Sequence, residues 1–183
     1  MTQTDSEHSS NLLHFARAVY AEAGIQPICL HLQDEYDMDV VLLLTCCWHG
    51  CFFGELSESQ LARAMAFSEP WRMHLVTPLR HSRRWLKAHP AEATGIPASE
   101  QEALRQRIKA LELDAEFMQL RALAALFAEP AAAPDTREAE AAASIRINLE
   151  RYRDYGSPPG THRAAGLNEA VVATLVRASL RYR

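Results

Sequence analysis

The sequence predicts an all-α protein, a single-domain bundle of about seven to eight helices, and three observations carry that expectation. Apolar residues recur at helical spacing, and no stretch alternates apolar and polar residues for long enough to make a strand. Short polar residues able to cap helices punctuate the chain at Asn11, Asp37 or Asp39, Ser57, Ser99 and Asn168. Finally, Leu104, Ile108, Leu111, Ala115, Met118, Ala122 and Ala125 step alternately by four and three, a heptad-patterned seam on one long helix.

The elements follow in order. Asn11 caps Leu12–Ala23, and Gly24 stops it. Pro27 suits the first turn of Ile28–Glu35. Asp37 or Asp39 caps Val40–Phe53. Ser57 and Gln60 form a capping box that opens Glu58–Phe67. The stretch from Glu69 to Lys87 is helical, with Pro78 forcing a kink or a split. A loop at 89–97 leads to the capping box of Ser99 and Glu102 and the long helix 100–128. A Pro/Ala linker at 129–136 precedes Arg137–Tyr155, a second loop, and a last helix capped by Asn168.

With 183 residues, 48% of them hydrophobic and 23% charged, the chain has ordinary globular usage and enough length to bury a core. Its first ten residues are polar and carry no signal-peptide pattern, so residues 1–10 read as a disordered tail before a domain at 11–183. The expected setting is the cytoplasm, with Cys29, Cys46, Cys47 and Cys51 as free thiols. The longest nearly uncharged stretch, Val40–Phe53, is 14 residues, short of the about 20 that span a bilayer. It reads as a buried helix, and no membrane association is expected.

Charge alternates in blocks: −8 over residues 1–60, +5 over 61–90, −5 over 91–140 and +4 over 141–183, which sum to the formal −4. Blocks of opposite sign can pair within one fold, so the pattern demands no charged partner.

Three constellations bear on chemistry. "TCCWHGC" (45–51) gathers three cysteines and a histidine. On a helix Cys47 and Cys51 share a face, yet the four side chains span about 200° of the cylinder and cannot converge on one ion. Cys47 and Cys51 remain metal candidates only if another segment completes the set. Cysteine also packs as a small hydrophobe, and the neighbours are core-like, so core lining is the expectation. "QDEYDMD" crowds Asp34, Glu35, Asp37 and Asp39 at a turn, where Asp34 and Asp39 could hold a divalent cation; capping and ion pairing are the structural alternative. Arg80, Arg84 and Lys87 share one helical face with Arg83 alongside, and Trp71, Arg72 and Trp85 lie nearby. Such a face could bind a protein partner or an anion, or pair with the acidic elbow. The acidic isoelectric point argues against nucleic acid.

Phe15-Ala16, Tyr20, "CLHLQD" (29–34), Asp39-Val40 and Leu42–Leu44 before Trp48 resemble the opening of an uncharacterised proteobacterial family of small helical proteins, and "PWRMHLVTPLRHSRRWLK" (70–87) resembles its second hallmark. Weaker similarity runs on to about residue 155, with Asp37 and Val41 departing from the family's Gly and Asn. The resemblance implies a helical fold and a bacterial cytoplasmic setting; it implies no activity.

The functional expectation is a non-enzymatic interaction or regulatory protein that holds a protein partner, or a second copy in a homodimer, through the basic helix, the heptad helix, or both. Trp71, Arg72, Arg80, Arg83, Arg84 and Lys87 are the partner- or anion-binding candidates, with no cofactor and no catalytic residue. A metal-dependent enzyme, with Asp34 and Asp39 facing an Arg80/Arg84 clamp, is the alternative, and nucleic-acid binding is third.

Overall fold

The computed structural model describes residues 11–89, 91, 95–127, 137–155 and 165–183, and the regular structure within them is entirely helical. The tail 1–10, the linker 129–136 and most of the second loop lie outside the described residues.

Helices begin where a short side chain meets unpaired backbone amides. The first, α1 (Leu12–Ala21), starts at Asn11, whose side chain accepts from the Leu13 and His14 amides. Gly24 ends the turn that follows, with a left-handed φ of 85°, and α2 (Ile25–Tyr36) starts directly after it. That start precedes the expected Ile28 and places Pro27 within the first turn, where its missing N–H costs nothing. Of the two cap candidates at the elbow, Asp39 is the one that works: its Oδ1 accepts from Val41 and Leu42 at the head of α3 (Val40–Phe52). Asp37 instead closes α2 in left-handed conformation. Ser57 and Gln60 form the expected reciprocal box at the start of α4 (Glu58–Trp71), with the Gln60 amide 3.2 Å from Ser57 Oγ and the Ser57 amide 2.8 Å from Gln60 Oε1.

Two expectations are corrected here. The helix α4 runs past Phe67 and continues through a π-helical turn, Arg72–Val76, into α5 (Thr77–Ala88). Pro78 has no N–H to donate, and the wide turn just before it, with the Thr77 amide on the Arg72 carbonyl, lets the helix continue unbroken. The long helix α6 (Ala98–Leu126) begins behind Pro97, not at Ser99. The Glu100 and Gln101 amides both reach the Pro97 carbonyl, and the Glu102 carboxylate binds Arg105 and Gln106 in place of a box with Ser99. Last come α7 (Glu138–Asp154) and α8 (Glu169–Leu180), the latter capped by Asn168.

The chain gathers into two compact units, one of residues up to Met65 together with those from Leu120 onward, the other Ala66–Gln119. The first is organised around α3, which is buried from Val41 to Phe52 and contacts α1, α2, α7 and α8. Its closest approach is to α7, and Gly50 permits it: a Cβ there would lie 2.6 Å from the backbone N and Cα of Ile145. One turn along, the fully buried Asn148 donates to the Cys46 carbonyl within α3 and to the Gly54 carbonyl, and accepts from the Leu56 amide, the last two being backbone groups of the α3–α4 loop. All four cysteines are free and buried within this unit. Among the described residues no helix is long and apolar enough to cross a membrane.

Candidate interaction surface

The second unit comprises the end of α4, the π turn, α5 and α6 as far as Gln119, and its polarity is inverted. Among its described residues the buried ones are Ser68, Arg72, Arg80, Gln101, Glu112 and Gln119, with only Val76, Leu86 and Ala115 as apolar company. On the first arm of this helical hairpin, Ser68, Arg72, Val76 and Arg80 step by four. An ordinary helix drifts about 40° per such step; the extra residue of the π turn lets them hold one face.

The two helical arms are tied by charge and by hydrogen bonds. Glu112, nearly buried, receives Arg80 Nε at 3.0 Å on Oε1 and Arg83 Nε at 2.5 Å on Oε2, while Arg80 also reaches Glu116 at 2.8 Å. Burial alone would raise the Glu112 carboxyl; the hydrogen bonds from Arg83 and Arg80 outweigh it and hold it below its ordinary value. The same bond to Glu112 raises Arg83. Towards one end, the Gln101 amide donates to the Leu86 and His89 carbonyls, satisfying the last turn of α5. Towards the other, the Trp71 indole N–H donates to the Ala115 carbonyl at 3.1 Å while its ring stacks on Phe67.

Interior positions filled in this way leave the large apolar side chains outside. Met73, Leu75, Trp85, Ile96, Leu104, Leu111, Leu113 and Met118 are all exposed. The heptad seam is split accordingly. Ala115 is buried and Ile108 half-buried, whereas Leu104, Leu111, Met118 and Ala125 face solvent.

The candidates read from sequence fall into different places. Trp71 and Arg72 are held within the unit, Arg72 buried and Trp71 half-buried. Arg80 and Arg83 are bound by Glu112 and Glu116, so the expected pairing of Arg80 with the Asp34–Asp39 elbow is replaced by a pairing within the hairpin. Arg84 and Lys87 remain exposed, beside the half-exposed Trp85, whose ring stacks on His89 at 4.4 Å. Two neutralised arginines leave a smaller basic patch than the sequence suggested. Asp39 caps α3, Asp34 is exposed on α2, and Cys47 and Cys51 lie in the core of the first unit. Among the described residues no group of three or more His, Cys, Asp or Glu side chains is placed to hold a metal ion. Burial pushes the thiols of Cys29 and Cys47 up to about 12, Cys47 despite a smaller opposing effect from the Ser179 hydroxyl.

Glu112 and Glu116 are the residues that sequence reading missed. The signal for them was the +5 block facing the −5 block that follows it; which carboxylates answer which arginines depends on how α5 lies on α6.

Residues 11–123, more than half of the chain, match a family described as "Protein of unknown function (DUF2390)". No curated protein matches the chain, and no solved structure does.

Proposed function

The chain belongs to that family, and we propose that it is a non-enzymatic interaction protein that holds a protein partner on the outward face of residues 66–119. One observation supports this above the rest. Of the ten large apolar side chains exposed among the described residues, eight fall in this stretch, over an interior richer in polar than in apolar residues. Apolar surface left in water is unfavourable, and a concentration of it marks a surface that another protein covers. On α5 the exposed Arg84 stands between Trp85 and Lys87 on the helix surface, so that two cations lie beside an aromatic anchor, which suits an acidic partner surface. The reading sets the protein in a bacterial cytoplasm, where buried free thiols are at home.

The test is affinity co-purification from the cells the protein comes from, with the wild-type chain and a Trp85→Ala/Lys87→Glu double variant as baits. The wild type should retain a partner in stoichiometric yield, and the variant, if its melting temperature is unchanged, about tenfold less. No stoichiometric partner for the wild type, or equal recovery by both, would overturn the reading.

A further inference from the structure

The exposed stripe on α6 carries a charge pattern of its own. Leu104, Leu111 and Met118 are 44%, 55% and 51% exposed and follow one another at steps of seven. Along their solvent side run Glu100, Arg107, Asp114 and Arg121, also at steps of seven, all exposed and alternating in sign. Along the inner side run Gln101, Ile108 and Ala115, buried or half-buried. Only one flank of the stripe is therefore open to a partner.

We propose that a second copy of this chain covers the stripe, its α6 antiparallel to the first about a two-fold axis at Leu111. The inference rests on residues 66–119 being an interaction face and names one occupant of it. In this register Leu111 meets the partner's Leu111, and Leu104 meets the partner's Met118, over about 21 Å of helix. The flank pairs with itself in reverse: Arg107 lies opposite the partner's Asp114, and Glu100 opposite the partner's Arg121. Each opposition joins unlike charges, and the two-fold axis repeats each one. A parallel arrangement would set the same flank against the inner side of the stripe, where Gln101 and Ala115 are buried in the chain's own interior and Ile108 is half-buried. Only the antiparallel orientation sets open flank against open flank, with unlike charges opposed.

Sedimentation equilibrium of the full chain tests this. The wild-type mass should rise with concentration from 20.5 kDa towards twice that value. Asp114→Arg sets Arg107 against a like charge at both symmetric places and should weaken association at least about tenfold. Adding Arg107→Asp to that variant restores the unlike pairs and should restore association. Both positions are exposed, so the melting temperature should stay within a few degrees in each variant. A wild-type mass of 20.5 kDa at every concentration overturns the proposal, as does a double variant no tighter than Asp114→Arg. A monomeric chain that still retains a partner in co-purification sinks self-pairing alone, while a dimer that retains none sinks the partner reading alone.

Discussion

Asp39 and Tyr152, 113 positions apart, are joined through one hydroxyl: the Asp39 amide donates to Tyr152 Oη at 2.8 Å, and that hydroxyl donates to the Asp39 carbonyl at 3.2 Å. The contact locks the elbow before α3 onto α7 in a site where Tyr152 is 1% exposed. Tyr152→Phe keeps the packing and strands a buried N–H and a buried carbonyl. The expected loss is about 2 kcal/mol in urea unfolding. A loss under about 0.5 kcal/mol would mean that both groups find other partners.

Gly50→Ala should destabilise the protein although alanine is the better helix former. The added Cβ would sit 2.6 Å from backbone atoms of Ile145, which no rotamer change relieves. Overpacking of this kind costs about 1–3 kcal/mol, against a helix-propensity gain of about 1. A melting temperature at or above wild type would show that α7 moves away freely.

Glu112→Gln should lower stability by about 3 kcal/mol, because it leaves Arg83 confined without its carboxylate and Arg80 with Glu116 alone. The sign with pH follows from a folded carboxyl held below its ordinary 4.5. Its contribution is complete above that value and is lost as acidification protonates Glu112 in the folded state. Wild type should therefore lose stability below about pH 4.5 more steeply than the variant. Parallel acid titrations of the two would refute this coupling.

His49 predicts a second pH dependence, in a milder range. Burial lowers the His49 imidazole below its ordinary 6.5, partly offset by its bond to the Gly54 carbonyl. A carbonyl can only accept, so Nδ1 carries the proton at 3.0 Å from that oxygen. The unfolded chain binds a proton that the folded site resists, so stability should fall as pH drops below 6.5. His49→Asn, which can keep a donor near Gly54, should flatten the change between about pH 7 and pH 5. An unchanged slope in the variant would assign the effect elsewhere.

The thiols should be inert in the native state. With Cys29 and Cys47 pushed up to about 12 and Cys46 and Cys51 also raised, almost no thiolate exists near neutral pH. A disulfide reagent should label none of the four in the folded chain and all four after denaturation. Stoichiometric labelling of Cys47 or Cys51 in the native protein would place a reactive thiol in what is otherwise core.

By itself the sequence determined the all-helical class, the caps at Asn11, Ser57–Gln60 and Asn168, a cap at Asp37 or Asp39, and the burial of the helix around "TCCWHGC". Those outcomes are local: a cap reaches amides two or three residues away, and a helix apolar on every side has no face to leave in water. Tertiary structure alone decided the rest. A heptad pattern has two edges, and α6 is turned so that Gln101, Glu112 and Gln119 face inward while Leu104, Leu111 and Met118 face out. Asp39, one of the two elbow carboxylates expected to pair with Arg80 and Arg84, caps its own helix terminus, and Glu112 takes Arg80 from another helix. Gly50 matters only because Ile145 arrives beside it. Each of these turns on the rotation of one helix about its axis, which is set by whatever packs against it and not by the helix's own residues.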